Sequence, residues 1–401
     1  MQPARRVVSR AVRLVVAGVC LFAMWDSWKL ARADFLFRQD TKASIREAIR
    51  LAPDASAYSM RLAQLDDDHA QELLERALRL DPYNAQADIE LGLRYEAEGD
   101  AGRAEKLLLH AYSIDHTYVP RWSLANFYLR QGNIPAFWTW ARAAAQMPAD
   151  DVGALFLLCW RVSPDPAVIE QKVLNDNPAV IRQYLRFLLG VGQLDASARV
   201  AARLVRDGSQ ATDGPLLFSL IDGLVQVGDA GAATDLWHGL QAQGWVPEDK
   251  GLPYNGSFAR PPQPVRFDWA LGTNDGLHSW PGPSGLEAEL NGNEPESCTL
   301  AEQTVALAPG NYSLAYSYRT ENIPPDTGIR WQIVDAKSGK VLAESPSLSS
   351  TMMLSAGVPF TVGPETPLLQ VRLAYQRALG TVRVSGAVVI RSTRIQTRPS
   401  A

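Results

Sequence analysis

Small and apolar residues recur at a fixed spacing through the first half of the chain. With a shift of 34 residues, Ala70, Leu74, Ala77 and Pro82 return as Ala104, Leu108, Ala111 and His116. With a shift of 33 residues, Gly92, Tyr95 and Gly99 return as Ala125, Tyr128 and Gly132. This spacing predicts pairs of antiparallel helices, in which small residues allow close approach and larger ones fill the wedge between the helices. A glycine is expected to end the first helix of each pair in a left-handed cap.

The segment Leu91-Gly92-x2-Tyr95, followed by Ala104-x3-Leu108, resembles the signature of tetratricopeptide repeat (TPR) proteins. The resemblance covers about half of the chain and is sharp over about two repeats. It implies an α-solenoid whose first helices line a concave groove, and a groove of this kind holds a peptide or helix from another protein.

Weaker repeats lie on both sides of the clear ones. Residues 42–82 predict a first pair with a shortened turn at Asp66, Asp67 and Asp68, which we interpret as a solvated helix N-cap. Residues 151–174, 180–206 and 215–243 predict three further pairs. Because such units cannot bury their apolar faces alone, we expect them to stack into one α-solenoid over residues 39–248.

The TPR resemblance implies specific groove residues in the clear repeats. Trp122, Asn126 and Arg130 occupy the groove positions of one first helix, and Ile89 and Leu93 those of its neighbour. An amide such as Asn126 can hold an extended peptide backbone through two hydrogen bonds. The alternative is that Trp122 packs between repeats and Asn126 merely faces solvent.

The pattern changes after Trp245. Five prolines between residues 245 and 264 predict a linker at 249–264. Beyond it, apolar residues alternate with polar ones, as they do at Tyr312, Leu314, Tyr316 and Tyr318. Eight or nine such strands, separated by Gly, Pro and Asn turns, predict an antiparallel β-sandwich over residues 265–401.

The run from Leu307 to Tyr312, with its Pro-Gly turn entering a tyrosine-rich strand, resembles jelly-roll carbohydrate-binding modules. That resemblance implies a jelly-roll-like sandwich that holds sugar on an exposed aromatic, for which Trp280 is the candidate. Six polar residues could share an outward face suited to an acidic polysaccharide: Arg319, Arg330, Gln332, Gln370, Arg372 and Arg383. The alternative is that these are simply the solvated faces of amphipathic strands.

An uncharged run from Leu14 to Trp25 follows four arginines, Arg5, Arg6, Arg10 and Arg13. It predicts that residues 1–38 form a basic cytoplasmic end and a transmembrane anchor helix. The span reaches the ~20 residues a bilayer requires only if it begins at Val7, with Arg10 and Arg13 extending to the headgroups. Trp25 and Trp28 would then lie at the far interface. Because the positive charge precedes the run, we expect the bulk of the chain to be exported.

Two alternatives apply to this segment. Ala31-Arg32-Ala33 has the small-x-small form of a signal-peptidase site, which predicts a secreted protein cleaved after Ala33. A lipoprotein acylated at Cys20 is rejected, because Val19 stands where Gly or Ala is required.

Composition and charge narrow the function. With 46% hydrophobic and 20% charged residues, the 401-residue chain is ordinary globular protein, long enough for two or three domains. Residues 1–38 carry seven Arg or Lys against two Asp, so the rest carries a net charge of −9 and gives no sign of a nucleic-acid partner.

The chain shows no catalytic pattern. The three cysteines, Cys20, Cys159 and Cys298, form no pair with metal-ligand spacing and no disulfide framework. No phosphate loop, G-x-S-x-G elbow or H-E-x-x-H motif is present. We therefore expect no catalytic residues, no metal and no cofactor, and a protein that is not an enzyme.

The expected function is that of a scaffold. The excess of Arg over Lys, 32 to seven, together with much Ala, suits a high-GC bacterium. We therefore expect a single-pass inner-membrane protein whose periplasmic repeats bind a protein or peptide partner, in cell-envelope or exopolysaccharide assembly. The alternatives are a glycan-binding protein whose β-sandwich holds polysaccharide, and a secreted protein.

Overall fold

The computed structural model describes residues 2–147, 152–207 and 210–398, with the backbone alone described for residues 2–15 and 211. The chain divides into two compact units, Met1–Asn175 and Asp176–Ala401. The first unit is helical. In its described residues the second holds four α-helices followed by two antiparallel sheets.

Ten α-helices make up the described part of the first unit. They are α1 (Gln2–Phe37), α2 (Lys42–Leu51), α3 (Ser56–Leu65), α4 (Ala70–Leu80), α5 (Ala85–Ala97), α6 (Ala101–Ile114), α7 (Tyr118–Arg130), α8 (Ile134–Ala145), α9 (Gly153–Val162) and α10 (Pro166–Lys172). Short polar caps start the central helices: the side chains of Asn84, Asp100 and Asn133 each accept a hydrogen bond from the backbone N–H three residues later.

The repeat signature is confirmed by the packing of α5 against α6. Ala104, Leu108 and Ala111 are fully buried. At Gly92 an added Cβ would lie 3.3 Å from Leu108 Cγ, so the glycine allows the two helices their close approach. Gly99 follows α5 with a φ of 88°, which is the left-handed end that the sequence predicts.

The predicted first pair over residues 42–82 is wrong in detail. Residues 42–65 form two helices, α2 and α3, because the chain breaks at Ala52–Ala55 around Pro53. Asp66 does not cap a helix through its side chain. Its buried carboxylate pairs instead with Lys42 at 3.4 Å and with Arg46, and so ties α2 to the end of α3.

The N-terminal helix α1 is long, and its C-terminal end joins the repeat core. Ala33 is fully buried and Leu36 nearly so, and both pack with Ile45 and Ala48 of α2. Asp34 accepts a hydrogen bond from the Tyr58 hydroxyl at 2.8 Å. Within the part of the chain that was described in full, we find no helix with the length and apolarity of a membrane span. The predicted span begins at Val7, and the side chains of residues 7–15 lie outside that part.

Four helices begin the second unit, arranged as two pairs joined by short turns: α11 (Pro178–Gly190), α12 (Leu194–Asp207), α13 (Gly214–Val227) and α14 (Ala230–Ala242). Their buried residues recur every three or four positions, along one face of each helix. Gly192 and Gly228, at φ 74° and 86°, occupy the turns within the pairs.

Eleven strands follow in the described residues: β1 (Ala270–Leu271), β2 (Thr273–Asn274), β3 (Leu277–Gly282), β4 (Gly285–Asn291), β5 (Ser297–Ala306), β6 (Gly310–Glu321), β7 (Ile329–Asp335), β8 (Val341–Glu344), β9 (Leu354–Val362), β10 (Leu368–Gln376) and β11 (Ser385–Thr397). Sheet A has the order β1-β5-β10-β7-β8, and sheet B the order β2-β3-β4-β11-β6-β9. All pairs are antiparallel. The two inward faces share one core around the fully buried Trp331, which confirms the β-sandwich.

The proline-rich segment predicted as a linker is an ordered strap, which we define as residues 246–269. Tyr254, Phe258 and Trp269 are buried within it. Its backbone pairs with the sandwich: Thr393 N–H donates to the Gly256 carbonyl at 2.7 Å, and Gln303 Nε2 donates to the Tyr254 carbonyl at 2.8 Å. The prolines of this segment have no backbone N–H to donate, but the segment is still ordered, because its other backbone groups form hydrogen bonds with side chains and strands of the sandwich.

Candidate binding surfaces

The predicted groove lies along α5 and α7, the first helices of the two clear repeats. Trp122 is half-buried and stacks on Tyr118, with ring centroids 6.1 Å apart. On the neighbouring helix, Leu93 is 41% exposed whereas Ile89 is packed into the repeat core. Ile89 is therefore a core residue, and Leu93 and Trp122 are the apolar members of the predicted set that reach the surface.

The polar groove residues are partly engaged within the protein. Asn126 Nδ2 donates to the Trp122 carbonyl of its own helix at 2.9 Å, which leaves Oδ1 without a hydrogen bond among the described residues. Arg130 forms a bidentate pair with Glu96, from Nε at 2.8 Å and from Nη2 at 2.7 Å. Gln131 adds a third bond to the same carboxylate. Arg130 thus holds α7 to the end of α5.

The outward face of sheet A carries most of the predicted polar row. Gln332 lies opposite Arg372 in the register of β7 and β10, and Arg330 and Gln370 are on the same face. The charged members are already paired: Arg330 with Glu344 at 3.0 Å, and Arg372 with Glu302 at 3.2 Å. These residues therefore form a face whose charges largely satisfy one another.

Two members of the predicted row lie elsewhere. Arg319 is on β6 in sheet B, and Arg383 precedes β11. Trp280 is on β3, also in sheet B. The prediction that one face unites all six polar residues is wrong, because β6 and β7 are consecutive in the chain but belong to opposite sheets.

Trp280 has its own neighbours on the outward face of sheet B. Its ring stacks on that of His278, with centroids 5.1 Å apart and planes inclined by 23°. The register places Trp280 opposite Glu287 and His278 opposite Glu289. The aromatic residue predicted for sugar binding thus lies opposite a carboxylate, whereas Arg330 and Arg372 lie on the other sheet.

Inside the second unit, α14 packs on the strap and on sheet A. Trp237 is buried. Its ring packs edge-to-face against the rings of Tyr254 and Phe267, with centroids 5.1 and 6.1 Å away. Beside it a cavity of about 200 Å³ is lined by α14, the strap and β5. The Gln303 side chain lines this cavity, and its Oε1 has no hydrogen-bond partner among the described residues.

No group of three or more His, Cys, Asp or Glu side chains is placed to hold a metal ion in the described part of the chain. Burial raises the pKa of the Cys159 thiol to about 12 and that of Cys298 to about 11, so neither is an activated nucleophile.

Comparison with known proteins finds likeness only at the level of solved structures. No family model matches the chain, and no curated protein sequence is similar to it. PilW, a type IV pilus biogenesis factor, is 17% identical and aligns over 56% of this chain and 95% of its own, with a TM-score of 0.27. YrrB, a TPR protein with an unusual peptide-binding site, is 11% identical over 51% and 93%, with a TM-score of 0.25.

A carbohydrate-binding module, TmCBM61 in complex with β-1,4-galactotriose, is 11% identical over 37% of this chain and 100% of its own, with a TM-score of 0.25. In the described residues this chain consists of paired helices followed by an antiparallel β-sandwich. At these scores the neighbours carry no argument about what it binds.

Proposed function

We propose that this chain is a non-catalytic adaptor that binds a protein partner along the first helices α5 and α7. The observation that carries the proposal is the exposure of Leu93 on α5, with the half-buried Trp122 on the next first helix, α7. Both belong to the predicted groove residues of adjacent repeats, and Leu93 is 41% exposed although it is a large apolar residue. An apolar surface rimmed by polar residues is typical of a protein interaction site.

The roles of the groove residues follow from their contacts. Leu93 and Trp122 would contact apolar side chains of the partner. Asn126 Oδ1 would accept a hydrogen bond from a partner backbone N–H, because its Nδ2 already donates to Trp122. Arg130 would act through Glu96, by fixing the angle between α5 and α7, and would not itself contact the partner.

A pair of leucines provides the test. Leu93 on α5 and Leu109 on α6 are 41% and 38% exposed in the same repeat, but Leu109 lies on the second helix. The full chain is crosslinked in cells of the native host and its partners are identified by mass spectrometry. We expect Leu93→Arg, Trp122→Ala and Asn126→Ala to lose a partner that Leu109→Arg retains. Retention of every partner by the three groove variants would overturn the proposal.

The adaptor is proposed to be anchored in the bacterial inner membrane by α1, with the repeats in the periplasm. Two observations support this proposal. Along α1, Phe22, Trp25 and Trp28 are exposed, and the two tryptophans stack at 5.3 Å. Cleavage after Ala33, the secreted alternative, would cut a helix whose Ala33 is fully buried in the repeat core.

Localisation is tested by fractionation of host cells. We expect the full chain in the membrane fraction after an alkaline wash, and in the soluble fraction once residues 2–28 are deleted. Digestion by protease added to spheroplasts tests the periplasmic orientation. A mature protein that begins at residue 34 would support the secreted alternative.

A second function, polysaccharide binding by the β-sandwich, is favoured by the aromatic pair His278 and Trp280 on an outer sheet face. With it, the adaptor would connect a protein partner to an envelope polysaccharide or exopolysaccharide under assembly.

A further inference from the structure

The outward face of sheet B brings an aromatic pair and several charged residues into two adjacent rows. In the first row, Trp280 lies opposite Glu287, Glu287 opposite Val389, and Val389 opposite Arg319. In the second row, the order is His278, Glu289, Ala387 and Glu321. We call these eight residues the Trp280 face. Since neighbouring strands lie ~4.8 Å apart, each row spans about 14 Å across four strands.

The aromatic end of the Trp280 face is a stacked pair of rings on β3. His278 and Trp280 are two residues apart on β3, so both side chains point outward, and their near-parallel stack fixes the ring of Trp280. Trp280 is half-buried and His278 is exposed. Such a surface offers an apolar plane against which the C–H side of a sugar ring can pack.

The charged residues of the Trp280 face are not engaged with one another. Glu287, Glu289, Arg319 and Glu321 take part in no ion pair among the described residues. On sheet A, by contrast, the outward Arg330 is paired with Glu344. Unpaired planar groups beside an aromatic residue leave their hydrogen-bonding capacity for a ligand.

A glycine positions the carboxylate nearest to Trp280. Glu287 folds over Gly282, where an added Cβ would lie 2.3 Å from Glu287 Oε1. The absence of a side chain at residue 282 therefore allows the carboxylate to rest on the β3 backbone, beside the Trp280 ring.

We propose that the Trp280 face binds a neutral, hydroxyl-rich polysaccharide. The sugar ring stacks on Trp280, its hydroxyls donate hydrogen bonds to Glu287 and Glu289, and the Arg319 guanidinium donates to ring or hydroxyl oxygens. Three carboxylates against one guanidinium disfavour uronic acids by charge repulsion, so this ligand class differs from the acidic one that the sequence predicts. The inference rests on the second proposed function and specifies its site and ligand class.

The test is the migration of the full chain, in detergent, through native gels that contain one polysaccharide each. The neutral probes are dextran, galactan and hydroxyethylcellulose, the acidic ones are alginate and polygalacturonate, and the cationic one is chitosan. We expect retardation by at least one neutral probe and by neither acidic one. Trp280→Ala should weaken it about tenfold, or ~1.4 kcal/mol. The double variant Arg330→Ala/Arg372→Ala on sheet A should bind as the wild type does.

Further variants separate loss of the site from loss of the fold. Trp280→Phe keeps an aromatic plane and should retain most of the affinity. Gly282→Ala should displace the Glu287 carboxylate and weaken binding while Trp280 stays in place. Unfolding by urea should match the wild type for each variant used.

Each remaining outcome overturns the inference in a distinguishable way. Binding that depends on Arg330 and Arg372 but not on Trp280 keeps the second function and moves its site to sheet A. Binding of only acidic or only cationic probes keeps the function and refutes the ligand class. A dimer that is lost in Trp280→Ala, without retardation by any probe, would identify a second copy as the occupant. No retardation and no dimer would refute the second function as well.

Discussion

Asp213 and Arg182 form an ion pair inside the second unit, with little access to water. The Asp213 side chain is fully buried and that of Arg182 is 13% exposed. Arg182 Nη2 donates to Asp213 Oδ2 at 2.9 Å, and Gln210 N–H donates to the same oxygen at 2.9 Å. Burial acts to raise the pKa of Asp213, but the guanidinium and the backbone N–H outweigh it and hold this pKa below its usual value.

Replacing Asp213 should therefore be costly. Asp213→Ala leaves the Arg182 charge buried without its partner, and we expect the free energy of unfolding of the second unit to fall by ~3–5 kcal/mol in urea titrations. The matched control is Asp207→Ala, since Asp207 pairs with Arg206 on the surface, where such pairs contribute below ~1 kcal/mol. Equal effects of the two substitutions would contradict this reading.

The same pair has a pH dependence with a defined sign. The pKa of Asp213 is lower in the folded than in the unfolded protein, so the pair stabilises the fold fully above the unfolded pKa of ~3.9. Its contribution is lost as the pH falls through the folded pKa. We therefore expect the difference in unfolding free energy between wild type and Asp213→Ala to be constant from pH 5 to 7 and to shrink in more acidic solution.

At the scale of helices, α13 ends at a glycine in a left-handed conformation. Gly228 is the C-cap of α13 at φ 86°, a left-handed conformation that side chains with a Cβ adopt at a cost of ~1–2 kcal/mol. Gly228→Ala should therefore lower the melting temperature of the second unit. Gly231, three residues later in α14, has helical geometry and only an ordinary contact to Asp229. Gly231→Ala should leave the melting temperature unchanged or raise it, because alanine favours helix.

The glycines of the clear repeats show which structural features the sequence could predict. The 34-residue period predicts the left-handed turn at Gly99 and the close approach of α5 and α6 at Gly92, because each depends on residues nearby in the chain. The sequence does not predict the break between α2 and α3, because only Pro53 marks it. The separation of Trp280 from Arg330 and Arg372 was not predictable, because period-two alternation gives the face of a strand but not the sheet to which it belongs.

At the scale of the whole molecule, the helices α11–α14, the strap and the sandwich belong to one compact unit. The β-sandwich core is closed on one side by strap residues, among them Phe258 and Trp269. Trp237 of α14 packs in turn on Tyr254 of the strap. The composition of the chain predicts a domain boundary at residue 265. Phe258 and Trp269 lie on either side of this boundary and are buried against each other.

Three fragments test whether this unit is cooperative. Residues 176–401 should unfold in one sharp thermal transition by circular dichroism. Residues 246–401 keep the strap but lack Trp237 of α14, which packs on Tyr254. We expect this fragment to fold and to melt at a lower temperature.

The third fragment, residues 265–401, lacks most of the strap. Thr393 N–H and the buried Gln303 amide then lose their hydrogen-bond partners, the carbonyls of Gly256 and Tyr254. Each buried unpaired group costs ~1–3 kcal/mol, and the apolar contacts of Phe258 are lost in addition. We expect this fragment to melt without cooperativity, and an equal melting temperature for all three would show that neither the strap nor α14 supports the sandwich.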